Sequence, residues 1–303
     1  MILAYPRKLW AWFLWTYLER FPTARNWILF AQGKAFPIFL DYPVAPLPRY
    51  GYGRPVHPQL NALLARERAR YETELDAIAA LAPSLARIPF TAEGAAPGEP
   101  VWNNAMLPPV DAASIYALLV NGKPARYFEI GSGNSTRFAR RAIRDFNLPT
   151  RITSIDPCPR AEVESLVDRS IRQPLEEIDL GIFRELSKGD VLYVDNSHRT
   201  LMNSDVTVFF LEILPILPSG VIVGLHDINL PWDYPSEIAV RYYSEQYMLA
   251  VHLLAEGSKT QVLLPCFYAS RDPALSKRLE PLWRALDGKC TLLEGSAFWL
   301  VVS

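Results

Sequence analysis

The sequence predicts an α/β protein with a doubly wound, mostly parallel sheet that follows a mainly helical N-terminal extension. Three observations carry this prediction. From about residue 124, short apolar runs alternate with segments of helical spacing; the first run ends in a glycine-bearing turn, "EIGSGNST"; and two later runs end in acids and imidazoles, "LYVDNSHRT" and "VGLHDINLP". Strand, turn and helix repeated in this way imply right-handed crossovers and a sheet covered by helices on both faces.

In chain order, residues 1–60 are basic and aromatic, with seven Lys or Arg against Glu19 and Asp41, a local charge of +5. "YPVAPLPRYGYGRPVHP" has too many Pro and Gly residues for regular structure and reads as a connector. "QLNALLARERARYETELDAIAALAPSLARI" is an amphipathic helix broken near Pro83, and "DAASIYALLV" is a short helix after a second connector. The α/β rhythm then runs "RYFEIG" (strand), "NSTRFARRAIRDF" (helix), "RITSID" (strand), "EVESLVDRSI" (helix), "DVLYVD" (strand), "SDVTVFFLEILPIL" (helix), "GVIVGLHD" (strand) and "SEIAVRYYSEQYMLAVHLLA" (helix). "TQVLLPCFYAS", a helix near 273–287 and a final strand "SAFWLVVS" close the chain.

Composition narrows the function classes. A formal charge of −1 over 303 residues argues against holding a polyanion by bulk charge, so no nucleic-acid partner is expected. Three scattered cysteines, without CxxC or Cys/His clustering, fit a reduced cytoplasmic setting and no cysteine zinc site. The apolar run "LWAWFLWTYL" is too short to span a bilayer and lacks a small-x-small cleavage site. Residues 1–40 carry two readings: peripheral contact with a membrane or a lipid-linked substrate, and packing against the main domain or a second subunit of a homo-oligomer. The second is preferred.

The turn after the first strand falls where ligands bind in doubly wound sheets, beyond the carboxyl ends of strands and at a helix N-terminus. Gly131 and Gly133 let the backbone turn and approach a ligand, and Asn134, Ser135 and Thr136 place small polar side chains at the helix start. Thr136 stands where a dinucleotide fingerprint wants its third glycine. Glu129, two residues before Gly131, suits a ligand with a cationic amino group, which favours S-adenosylmethionine over a pyrophosphate. Asp156, ending "SIDP", is placed to accept ribose hydroxyls, a need that NAD shares.

The ends of two later strands bring Asp195 and His198, then His226, Asp227 and Asn229, to the same rim. Asp195, Asp227 and Asn229 offer oxygen ligands to Mg2+ or Mn2+, which would lower the pKa of a substrate hydroxyl. His198, with Asp195, is the candidate general base. His252 reads as a packing residue, and Glu245 and Gln246 as hydrogen-bonding partners of the rim.

Taken in order, "YFEIGSGNST", "SIDP", "LYVDNSHRT" and "VGLHDINLP" resemble the class I S-adenosylmethionine-dependent methyltransferases, with the bacterial small-molecule and sugar O-methyltransferases as the nearest branch. The resemblance covers about residues 100–303 and implies a Rossmann-like seven-stranded sheet with an antiparallel last strand, behind an extension of residues 1–99. It implies cofactor contacts at Glu129, Gly131, Ser132, Gly133, Asn134 and Asp156, to which the helix start adds Ser135, and metal ligands at Asp195 and Asp227. His198 departs from the lysine of catechol-type relatives, and Ile228 from their asparagine. The expected reaction is methyl transfer to a hydroxyl of a sugar, glycan or natural product. The competing expectations are a non-catalytic cofactor-binding protein that recruits a partner or membrane, and an NAD-dependent oxidoreductase. The acceptor walls are expected from residues 1–105, including Trp102 and Asn103, and from the loop "NLPWDYPSE".

Overall fold

The computed structural model describes residues 45–159, 163–239, 241–255, 259–290 and 293–303, with Ala31. The basic aromatic run and its expected membrane or subunit contact lie outside the described residues. Residues Pro46–Ser303 form one compact unit. Among the described residues, no helix is long and apolar enough to cross a membrane.

Three helices come first: α1 (Pro58–Arg66), α2 (Arg68–Ala80) and α3 (Ala82–Leu85). The expected break is at Leu81, and Pro83 sits in the first turn of α3, where its missing N–H costs nothing. Helix α4 (Pro109–Gly122) starts on a proline and is buried along most of its length. The sheet then builds from β1 (Arg126–Ile130), β2 (Arg151–Ile155), β3 (Arg169–Ile171), β4 (Val191–Val194), β5 (Ile222–Leu225), β6 (Thr260–Pro265) and β7 (Phe298–Val302). Between them lie α5 (Asn134–Phe146), α6 (Asp205–Val208), α7 (Ser236–Ala239), α8 (Glu245–Leu254), α9 (Cys266–Arg271), α10 (Pro273–Ser276) and α11 (Glu280–Ala285). Helix α6 widens into a π turn over Phe209–Ile213 and tightens into a 3-10 turn over Leu214–Ile216.

The strand order is β3-β2-β1-β4-β5-β7-β6. All pairings are parallel except those of β7, which runs antiparallel to both β5 and β6. The seven-stranded sheet with an antiparallel last strand is therefore present. The order reverses between β1 and β4, so the connections leaving their carboxyl ends run to opposite sides and open a crevice at the switch point. Helix α2 buries Tyr71, Leu75 and Ile78, and Arg68 holds Asp272 through two bonds of 2.6 and 2.9 Å. The described helices before residue 100 thus share the core of the sheet domain.

Two expected helices differ. "EVESLVDRSI" is a 3-10 turn over Glu164–Leu166 followed by strand β3, because Arg169–Ile171 complete the sheet edge against Thr153–Ile155. Its helix-like spacing lost to a ladder with a distant partner. "SEIAVRYYSEQYMLAVHLLA" is two helices, α7 and α8. Tyr242 between them has φ +57°, and the N–H groups of Ser244 and Glu245 bond to the carbonyl of His198. That tertiary anchor starts α8 afresh.

Candidate active site

The site is assembled at the switch point by main-chain bonds that tie neighbouring strand ends together. Asp195 N–H donates to Ile130 O at 2.8 Å, Gly131 N–H to Ile155 O at 3.0 Å, and His226 N–H to Val194 O at 2.9 Å. Gly131 is required here: its φ is +80°, and a Cβ on it would lie 1.8 Å from the carbonyl oxygen of Asp195. At Gly133 a Cβ would meet nothing within 4 Å, so the backbone there borders open space.

A cavity of about 620 Å³ runs along these strand ends. Gly131, Ser132, Gly133, Asn134 and Asp156 wall one side, with Pro174, Leu175 and Glu176 beyond them. Asp156 receives the N–H of Ser132 and of Cys158, each at 2.8 Å, which fixes its carboxylate at the cavity wall. Glu129 and Ser135, expected beside a cofactor, are both buried next to the turn. Glu129 accepts hydrogen bonds from the hydroxyls of Tyr127 (3.2 Å) and Thr136. Thr136 in turn accepts the Gly133 N–H at 3.0 Å, so the residue replacing a third glycine braces the turn. Burial pushes the Glu129 carboxyl up to about 7 despite bonds from Ser135, Thr136 and Tyr127 that favour the anion.

The other side of the cavity holds Asp195, His198, His226 and Asp227. His198 (φ +59°) and Asp227 (φ +55°) are both non-glycine residues in the left-handed region, a conformation that the surrounding bonds hold in place. His198 N–H donates to Asn196 Oδ1 at 2.9 Å, and Ser197 bonds to Asp205 through both its N–H and its hydroxyl. The His198 ring is nearly fully buried; Nδ1 lies 2.8 Å from Glu245 Oε2, and Nε2 lies 3.2 Å from Asp195 Oδ1 and 3.5 Å from Asp227 Oδ2. His226 presents Nδ1 at 3.4 Å from Asp195 Oδ1 and 3.6 Å from Asp227 Oδ1, without a well-formed hydrogen bond to either. Its Nε2 backs onto Asp111 Oδ2 at 3.4 Å.

The electrostatics follow from four carboxylates around two imidazoles. Burial opposes charge on His198, but the bonds to Asp195 and Glu245 outweigh it and push the ring up to about 9. His226 is held well above its ordinary value in the same way, against burial and chiefly by Asp227 and Asp195. Burial would raise the Asp195 carboxyl, yet the neighbouring imidazoles hold it far below the usual range.

Of the three expected metal ligands, Asp195 and Asp227 come together and Asn229 does not. Asn229 is buried in the loop after β5, where its side-chain amide donates toward Tyr52 OH at 3.5 Å and its N–H donates to Gln246 Oε1 at 3.0 Å. The ligand-type atoms that do converge belong to Asp195, His198 and His226, all within 4.8 Å of one another, with Asp227 alongside. His226 was legible in the sequence as the neighbour of Asp227. Asp111 was not, because nothing local links α4 to the histidine just after β5. Trp102 and Asn103 line a separate cavity of about 200 Å³ that shares Met106 with the main one. The main cavity's outer wall is formed instead by Arg199, Arg241 and Tyr243. His252 bonds to Thr260 Oγ1 at 2.9 Å, away from the site.

Residues 128–228, from β1 through the end of β5, match the family model described as a methyltransferase domain. That stretch, about a third of the chain, is similar to a methyltransferase domain. Among solved structures, the Podospora anserina methyltransferase PaMTH1 bound to S-adenosylhomocysteine is 16% identical, the match covering 63% of this chain and 77% of that one at a TM-score of 0.39. The plantazolicin methyltransferase BpumL, in complex with a desmethyl-plantazolicin analogue and S-adenosylhomocysteine, is 14% identical over 77% and 98% of the two chains, TM-score 0.42. An O-methyltransferase from Bacillus cereus with S-adenosylhomocysteine is 12% identical over 76% and 91%, TM-score 0.35. No curated protein matches the chain. The matched segment contains every residue of the Gly131 turn, Asp156, and the Asp195, His198, His226 and Asp227 rim.

Proposed function

We propose that the protein transfers the methyl group of S-adenosylmethionine to a hydroxyl oxygen of a small-molecule, sugar or glycan acceptor. The reading rests on one continuous cavity that joins the Gly131–Asn134 turn and Asp156 to the Asp195, His198 and Asp227 cluster. The sulfonium of the donor supplies an already activated methyl. What the chain's residues must then do is align donor and acceptor and receive a proton.

The turn residues Gly131, Ser132, Gly133 and Asn134 hold the amino-acid end of the donor, and Asp156 holds its ribose. At the rim, His198 in its neutral form takes the proton of the acceptor hydroxyl, and the Asp195 and Asp227 carboxylates beside Nε2 stabilise the imidazolium that results. A divalent ion held by those carboxylates would lower the hydroxyl's pKa. Arg199 and Arg241 flank Tyr243, with guanidinium carbons 5.5 and 4.6 Å from the ring centroid. That wall suits an acceptor carrying a phosphate or carboxylate group.

Calorimetric titration of the full-length protein with S-adenosylmethionine, S-adenosylhomocysteine and NAD tests the reading. Both sulfur compounds are expected to bind and NAD is not. Binding of NAD with neither sulfur compound bound would overturn it. Recovery of labelled methyl as an ether, rather than on nitrogen, tests the acceptor atom.

A further inference from the structure

We infer that the cavity beside Trp102 and Leu107 is a subsite for an apolar group of the acceptor, an aromatic ring or a straight chain of about six carbons. The inference rests on the reading of the main cavity as the place of methyl transfer and deepens it: the acceptor carries an apolar substituent and is not a bare sugar.

The second connector, irregular by its Pro and Gly content, folds into a fixed wall. Trp102 N–H donates to Pro89 O at 3.1 Å and Asn103 N–H to Phe90 O at 2.9 Å, which joins residues 89–90 to residues 102–103. The Trp102 indole is held as well: Nε1 donates to Leu85 O at 3.3 Å, and the ring packs on Phe138 with centroids 5.4 Å apart. Asn104 shapes the turn that follows. Its Oδ1 accepts the N–H groups of Met106 (3.0 Å) and Leu107 (2.7 Å), and its Nδ2 donates to Val101 O at 2.9 Å. The same Oδ1 receives Asn134 Nδ2 at 3.2 Å, which ties this turn to the first residue of α5. Ala105, inside the turn, has φ +62°, a conformation that an alanine keeps only where its surroundings impose it.

What this braced turn presents is Met106, whose side chain is 58% exposed. Met106 lines both the main cavity and the smaller one, so the two meet at a single flexible, polarizable side chain of the kind that adapts to varied apolar ligands. Beyond it the smaller cavity is walled mainly by carbon, from Phe90, Trp102, Leu107 and Pro108, with Cys290 opposite them in the chain. An apolar protein cavity of about 150 Å³ holds one benzene ring. The volume of about 200 Å³ here therefore fits a ring or a short chain, recognised by shape and burial. The donor leaves this space to another molecule, because its adenine follows the ribose past Asp156 toward Pro174 and Leu175.

The chain has four methionines, so 13C-methyl methionine labelling of the full-length protein gives few signals, and Met106→Leu assigns the one that matters. Titration with n-hexanol and with p-cresol is expected to shift the Met106 signal saturably and to leave that of Met202 in place. Cys290→Phe and Asn103→Phe narrow the smaller cavity from different segments, and each is expected to weaken the hexanol response at least about tenfold while S-adenosylhomocysteine affinity holds. Two variants keep the test decisive should one of them fail to fold. In calorimetry on protein saturated with S-adenosylhomocysteine, n-hexyl β-D-glucopyranoside is expected to bind at least about tenfold more tightly than methyl β-D-glucopyranoside, a gain that two buried methylenes supply, and to lose that advantage in Cys290→Phe. No saturable Met106 shift, an undiminished response in both variants, or no advantage of the hexyl over the methyl glucoside overturns the inference. A Met106 response to hexanol without S-adenosylhomocysteine binding would refute the donor reading and leave the apolar site standing; the reverse result would refute the subsite alone.

Discussion

Gly131 stands directly against the carbonyl of Asp195, leaving 1.8 Å where a Cβ would go. The turn after β1 and the rim after β4 are thus packed directly against each other. Gly131→Ala must both adopt φ +80° and push the end of β4 away, a cost of at least about 3 kcal/mol from strain and overlap together. Gly133→Ala meets no atom within 4 Å. It is expected to cost less stability and to act on cofactor affinity, because its methyl enters the cavity. Thermal unfolding and S-adenosylhomocysteine titration of both variants check this; equal destabilisation by the two would count against it.

Under the proposed function, Asp156 and His198 serve donor binding and proton transfer at different parts of one cavity, so the two roles should separate in kinetics. His198→Ala is expected to keep S-adenosylmethionine affinity within about threefold and to lose about 10²-fold or more in turnover. Asp156→Ala is expected to lose at least about tenfold in affinity, since it removes both a ribose acceptor and the anchor of the Ser132 and Cys158 N–H groups. Undiminished turnover in His198→Ala would remove it from the reaction.

Glu129 gives a pH signature. Its carboxyl is raised in the folded protein from 4.5 to about 7 by burial. Below pH 4.5 it is protonated in both states and contributes no difference. Between 4.5 and 7 the unfolded chain loses the proton first, so stability falls as pH rises, by a span on the order of 3 kcal/mol. Above 7 the loss is complete. Glu129→Gln lacks this titration, so its stability relative to the native protein should rise across that window. Denaturant unfolding from pH 4 to 8 measures it, and a constant difference between the two proteins would refute the assignment.

What was readable in the sequence was what local pattern encodes. The apolar runs of β1, β2, β4 and β5 and the turn at Gly131 announced themselves, because strand ends and glycine turns are written in neighbouring residues. Strand β3 was not readable: three residues paired only at a sheet edge carry almost no signal against the helix-like spacing around them. Asp195, His198 and Asp227 were found for their position after strands. Asn229 was expected beside them on residue type alone, but its side chain follows the loop toward Tyr52. Glu245 was expected at the rim as a polar residue on a helix approaching the core, and it meets His198, whereas Asp111 reaches His226 only through tertiary packing, so no spacing rule points to it.

The outer wall carries the last prediction. Tyr243 is stacked between the His198 ring, 4.6 Å away and tilted by 38°, and the Arg241 guanidinium, while Arg199 bonds to the carbonyls of Ser197 and Arg241. Among the described residues neither arginine is paired with an acid, so their charge is available to a ligand at the cavity mouth. An acceptor bearing a phosphate or carboxylate gains two charge-assisted contacts there, each worth about 1.5–3 kcal/mol when formed. Replacing both residues, as Arg199→Gln with Arg241→Gln, should raise KM for an anionic sugar acceptor by at least about tenfold while kcat and S-adenosylmethionine affinity hold. The native enzyme should also prefer phosphorylated over neutral sugars, with a preference that shrinks as salt rises. Equal KM for charged and neutral acceptors in the native protein would show that the arginines serve only to position Tyr243.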